Sequence, residues 1–255
     1  MVMKRSGLLV FAALCIALLS VGVFGLSSKA ARASWHGRAR AASQNTGTIS
    51  GKVLFSGTAL KRAALDMRSD PVCAGQHSET VLAEDGEVND NGTLPNAFVY
   101  IAEVSGKYKA PSTPVTLDQT GCMYVPHVLG IMAGQPLRIV SHDATTHNVH
   151  FMSKNNRQWN QSQQPGTPAM THRFFHPDIM VRAHCNDHPW MSAYIGVTSN
   201  PFYAVTGDDG TFTIKGLPPG EYTVTTWTAT FGTQEQKVTV SAGETAEANF
   251  TFTHQ

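Results

Sequence analysis

Three observations predict an all-β fold for this chain. Short β-branched and aromatic runs recur, the first at residues 48–55 with Thr48, Ile49 and Val53. Turn residues punctuate them at Ser56-Gly57, Ala133-Gly134-Gln135-Pro136, Asp208-Asp209-Gly210 and Pro218-Pro219-Gly220. One stretch, residues 60–67, reads as a helix, and a short one.

The N-terminus reads as an export signal. Lys4 and Arg5 are followed by an apolar run over residues 7–26, and Ala31-Arg32-Ala33 fits a small-x-small cleavage site. The run is also long enough to span a bilayer. Residues 1–33 are therefore either a signal peptide or a membrane anchor. Cys15 follows Leu14 rather than a small residue, which argues against lipidation. Residues 34–46, rich in Ala, Arg and Ser, read as a linker. A periplasmic or cell-envelope protein is expected, touching membrane only through residues 7–26 if these are retained. A formal charge of +1 gives no electrostatic footprint of a nucleic-acid partner.

Beyond the strand at 48–55, residues 59–92 are irregular, with a turn at Asp70-Pro71 and turn residues from Gly86 to Gly92. Residues 96–103, with Phe98, Val99, Tyr100 and Ile101, read as a buried strand, and residues 105–114 as a polar connector. Strand material follows from Val115 through Met123, Val125, Val128, Leu129 and Ile131, then at Leu137, Ile139 and Val140. Residues 153–171 are polar and read as a long loop. Met170 to Phe175, Ile179 to Ala183, and Tyr194, Ile195 and Val197 bring further strands. At the C-terminal end, Asp-Gly makes a tight turn, and Pro-Pro-Gly leads into a strand alternating Tyr222, Val224 and Thr226. Val238, Val240, Ala248, Phe250 and Phe252 supply the last two strands.

With the signal removed, Cys73, Cys122 and Cys185 remain, an odd number for an oxidising compartment. The simplest arrangement is a Cys73–Cys122 disulfide with Cys185 left as a metal thiolate. A metal site built from Cys73, His77, Cys122 and His127 is the alternative, with irregular spacing.

The chemistry concentrates in Cys185-Asn186-Asp187-His188-Pro189-Trp190-Met191. A thiolate, an imidazole and a thioether stand there at i, i+3 and i+6. Residues 146–151, Thr-His-Asn-Val-His-Phe, offer a second imidazole. Two His, one Cys and a weak axial Met suit copper in both oxidation states. The plain alternative is a buried Cys and a core Met among incidental histidines. Seven of the eleven histidines lie between His142 and His188. His150, His172, His176 and His184 are expected to pack or face solvent. His184 and Cys185 are adjacent, so they point to opposite faces. Pro189 and Trp190, beside His188, read either as loop packing or as an apolar rim that docks a redox partner.

His-Asn-Val-His-Phe followed by Cys-x2-His-x2-Met resembles the cupredoxin family of blue copper proteins, amicyanin- and plastocyanin-like, over about a third of the chain. The resemblance implies an eight-stranded Greek-key sandwich with one mononuclear type 1 copper. By motif position its ligands would be His147, Cys185, His188 and Met191, with Asn148 tying the two ligand loops together. His188 would be the ligand nearest the surface and the route of electron transfer.

Residues 208–224, with Asp-Asp-Gly and Gly-Leu-Pro-Pro-Gly-Glu-Tyr, resemble the carboxypeptidase regulatory-like domain, a transthyretin-like β-sandwich. That family opens with strands like Gly47 to Val53 and Leu94 to Tyr100. The expected layout is thus a discontinuous sandwich, residues 47–104 and 203–253, with a cupredoxin domain at 107–200 inserted; two tandem domains are the alternative.

Together these readings imply an exported electron carrier between an unidentified redox donor and acceptor, with no bond-making chemistry of its own. The competing reading is an envelope module that binds or stores copper, or adheres to carbohydrate, without redox shuttling.

Overall fold

The computed structural model describes residues 45–254. The expected signal or anchor at 1–33, and all but the end of the 34–46 linker, lie outside the described residues. Among those described, no helix is long and apolar enough to cross a membrane.

The fold is all-β. Strand β1 (Gly47–Ser56) is followed by one short helix, α1 (Pro71–Ala74), and by β2 (Phe98–Tyr100). Nine strands come next: β3 (Val115–Thr120), β4 (Met123–Val125), β5 (Val128–Met132), β6 (Leu137–Ser141), β7 (His147–Met152), β8 (Trp159–Gln163), β9 (Met170–His172), β10 (Asp178–His184) and β11 (Ser192–Thr198). The chain ends with β12 (Tyr203–Val205), β13 (Thr211–Leu217), β14 (Gly220–Thr228), β15 (Gly232–Val240), β16 (Thr245–Glu247) and β17 (Phe250–Thr253).

Strands β3 to β11 form two sheets, ordered β4-β3-β6-β9 and β5-β11-β10-β7-β8. They enclose one apolar core that includes Leu117, Tyr124, Ile131, Ile139, Phe151, Ala183 and Ile195. Nine strands stand where the resemblance implied eight. The extra strand comes from residues expected to be loop. Strand β8 is an edge strand whose residues are mostly exposed and polar, yet its backbone pairs with β7 from His147↔Gln163 to Phe151↔Trp159. An edge strand outside the core needs no apolar alternation, so side-chain pattern does not reveal it.

A second core gathers Ile49, Val53, Val99, Phe212, Ile214, Val224, Val240, Phe250 and Phe252, drawn from both ends of the chain. Strand β1 pairs antiparallel with β13 and in parallel with β16 and β17. Strand β2 lies between β12 and β14. Where the chain leaves and re-enters this core, the buried Asn200 amide donates to the Ile101 and Ala102 carbonyls at 2.9 and 3.3 Å.

The helix expected at 60–67 is absent. Leu65 N–H donates to Val81 O, and Ala83 N–H to Ala63 O, so this stretch is extended against residues 81–83. The helical turn comes later, at α1, where the Asp70 side chain accepts from the Val72 and Cys73 N–H groups and Pro71 begins the turn.

Candidate metal centre

His147 opens β7, and Cys185 is the first residue beyond β10. These strands are neighbours, in register at Ala183↔Phe151 and His184↔His150, so the sheet brings the two ligand loops to one end. The 185–191 loop closes on itself. Met191 N–H donates to His188 O at 2.9 Å, and Cys185 N–H to Met191 O at 3.3 Å. Asn148 joins the loops: its N–H donates to Cys185 Sγ at 3.3 Å, and its side-chain oxygen accepts from Asn186 N–H at 3.1 Å. Its amide nitrogen also bonds the Asn160 side-chain oxygen.

The donors converge inside the core. His147 Nδ1 and His188 Nδ1 are 2.9 Å apart, and Cys185 Sγ is 3.6 Å from His188 Nδ1. The three side chains bring one donor atom each within 4.8 Å of the others, all buried. Met191 is fully buried in the same core as Cys185.

The other nitrogen of each imidazole is already engaged. His147 Nε2 lies 2.8 Å from Asp143 Oδ2, and His188 Nε2 lies 3.0 Å from Asp70 Oδ2. With Nε2–H donated to a carboxylate, each Nδ1 presents a lone pair to the other, and only a proton or a cation between them relieves the repulsion. Burial pushes the His147 imidazolium down, but its bonds to Asp143 and Cys185 outweigh that and raise it to about 9. The Thr145 hydroxyl foremost, then His188 and two backbone N–H groups, hold the Asp70 carboxyl down at about 2 against its desolvation. Burial raises Asp143, but the bonds from His147 and Cys122 N–H prevail and leave it below the ordinary carboxylate value. Two borderline imidazole nitrogens and a soft sulfur donor, the buried free Cys185, form a donor set that fits copper.

Residues 181–253 match the carboxypeptidase regulatory-like domain. The matched stretch starts in β10 and takes in the 185–191 loop as well as β12 to β17. No curated protein matches the chain. Among solved structures, a copper-containing nitrite reductase from Thermus scotoductus SA-01 is similar at 22% identity and TM-score 0.31, over 38% of this chain and 25% of that one. The chain thus spans a quarter of that enzyme's length. A purple cupredoxin from Nitrosopumilus maritimus aligns at 19% identity and TM-score 0.28, over 32% of this chain and 98% of its own. An amicyanin variant in the Cu(I) state aligns at 20% and 0.29, over 32% and 80%.

His188 is the most exposed of the four expected ligands, yet only 4% exposed, against 1% for Cys185 and 0% for His147 and Met191. The 59–92 segment covers it, with Asp70 on Nε2 and Cys73 Sγ at 3.9 Å. Trp190 is half-buried, its ring 5.0 Å from His188 and its indole N–H bonded to Cys122 O at 3.1 Å, while Pro189 is exposed.

Cys73 and Cys122 form a disulfide, which leaves no thiol there for a second metal. Of the two histidines of that alternative, His77 has Nε2 2.8 Å from Gly121 O, and His127 has Nε2 2.8 Å from Asp85 and Nδ1 3.1 Å from Ser192 O. His150 and His184 are cross-strand neighbours with rings 4.7 Å apart. His172 packs among Phe151, Trp159 and Phe174, and His176 is exposed.

Sequence reasoning missed Asp70, Asp143 and Thr145. Asp143 carried a signal, four residues before His147. Asp70 carried none, because it lies 118 residues from His188 and reaches it only through the fold.

Proposed function

We propose that this protein is an exported carrier of single electrons, in which His147, Cys185 and His188 would hold one mononuclear type 1 copper, with Met191 as a weak fourth ligand. One observation carries the reading: two Nδ1 atoms and a thiol converge in a buried core while carboxylates hold both Nε2 atoms. Copper bound there would supply a one-electron couple between its two oxidation states.

The protein's part is to fix the donors. Neighbouring strands β7 and β10 of one sheet set His147 and Cys185, the closed 185–191 loop sets His188 and Met191, and Asn148 locks one loop to the other. Ligands held this rigidly reorganise little between oxidation states. With the His188 edge covered, Pro189 and the half-buried Trp190 form the rim where a redox partner docks. Donor and acceptor are redox proteins of the cell envelope.

The burial of His188 favours a second reading, retention of copper without shuttling. Both readings are tested by adding copper to the purified protein and recording visible and paramagnetic resonance spectra. An intense charge-transfer band with a narrow copper hyperfine splitting, lost in Cys185→Ser, supports the site. Reversible voltammetry with fast electron exchange supports the carrier, and bound copper that does not cycle supports retention. A colourless protein with ordinary copper signals, unchanged in Cys185→Ser, sinks both.

A further inference from the structure

We propose that the 59–92 segment is a built part of the metal centre, with Asp70 a positioning residue for His188 and the Cys73–Cys122 disulfide the brace that keeps it there. This deepens the copper reading and rests on it.

The geometry repeats itself on the two sides of the disulfide. On one side, Asp70 Oδ1 accepts from Cys73 N–H at 3.3 Å while Oδ2 faces His188 Nε2 at 3.0 Å. On the other, Asp143 Oδ2 accepts from Cys122 N–H at 2.9 Å and faces His147 Nε2 at 2.8 Å. The disulfide therefore ties together the two carboxylates that hold the two imidazoles. Further bonds lock each acid. Asp70 Oδ2 accepts from Thr145 Oγ1 at 2.7 Å and Oδ1 from Val72 N–H at 2.8 Å; Asp143 Oδ1 accepts from Gly121 N–H at 2.8 Å. Thr145 lies in the loop before His147, so Asp70 also links both ligand loops.

A carboxylate on Nε2 fixes the ring's tautomer and its rotation, and makes Nδ1 more basic toward a metal. Asp143 does this from within the β3 to β11 sandwich. Asp70 does it from the segment between β1 and β2, strands of the other core; Met67 and Cys73 sink into the metal-site core, and the disulfide ties the segment covalently to the turn between β3 and β4. The same contact shuts His188 away from water.

The test uses the full-length protein, isotopically labelled, metal-free and at one fixed pH. Ring ¹⁵N shifts of His188 should report the Nε2–H tautomer in the wild type and a mixture of tautomers in Asp70→Ala. Asp70→Asn keeps an acceptor oxygen without its charge and should fall between. A thiol reductant should shift His188 toward the mixture, and reoxidation should reverse it. Titration with Cu²⁺ alone should show affinity about 10- to 100-fold weaker in Asp70→Ala, with unchanged circular dichroism. A His188 tautomer unmoved by the substitution and by reduction, or copper affinity within twofold of wild type, overturns the proposal. A wild type that binds no copper overturns the copper reading instead, and the tautomer measurement still decides whether Asp70 holds His188.

Discussion

The Phe98 ring lies directly on Gly196. A Cβ at that glycine would stand 2.2 Å from Phe98 Cζ, and one at its register partner Gly130 would stand 2.2 Å from Tyr203 Cε2 and 2.9 Å from Phe98 Cε2. Two aromatic rings from β2 and β12 thus rest on bare backbone of β5 and β11, joining the two β-layered halves. Phe98 is wholly buried, so its ring has little room to retreat. Gly196→Ala should cost about 1–3 kcal/mol by overpacking, lowering Tm by about 2–4 °C for each kcal/mol. Thermal melts check this; a Tm equal to wild type would mean that the rings move aside freely.

Asn200 joins the two points where the chain crosses between cores, donating to Ile101 O and Ala102 O. A single proteolytic cut at the exposed Lys107 should leave the two pieces associated, held by the pairing of β1 with β13 and β2 with β12. Asn200→Ala leaves the buried Ile101 carbonyl and the Phe202 N–H without their side-chain partner and should cost about 1–3 kcal/mol. Gel filtration of the nicked protein and denaturant melts of the variant check each outcome; release of a folded C-terminal piece would favour tandem domains.

His127 gives stability a pH dependence. Burial pushes its imidazolium down, but the Asp85 bond and the nearby Glu84 outweigh that and raise it above its usual value. A folded pKa above the unfolded value of about 6.5 means a contribution fully present below that pH and lost as pH rises through the folded pKa. Desolvation raises Asp85, but His127 and Tyr194 prevail and hold it below the ordinary carboxylate range. Its contribution is present above its unfolded pKa and fades as pH falls through the lowered one. Tm should therefore fall on the alkaline side in the wild type, and His127→Gln should flatten that fall. Parallel Tm–pH curves for the two proteins would disprove it.

Tyr124, fully buried, donates its hydroxyl to Asn148 O beneath the first ligand strand. Tyr124→Phe removes that bond and keeps the ring, costing about 0.5–1.5 kcal/mol. On the copper reading proposed above, the spectrum of the loaded protein should stay unchanged, because the bonds from Asn148 to Cys185 and Asn186 remain. A shifted charge-transfer band would show that the hydroxyl also sets the ligand geometry.

The sequence alone determined the local chemistry. Strand β1 and the Pro-Pro-Gly entry to β14 were readable from alternation and turn residues, and the 185–191 loop displays its three donors at close spacing. What lies near in sequence leaves a pattern, because backbone geometry fixes which neighbours share a face. Tertiary structure decided the rest. Polar β8 became a strand because β7 offered it an edge. Residues 60–67 stayed extended because residues 81–83 pair with them. His188, the most exposed of the four expected ligands, is nonetheless buried because Asp70, 118 residues away, folds over it. Long-range contacts of this kind follow from how separate layers pack, and no local spacing encodes them.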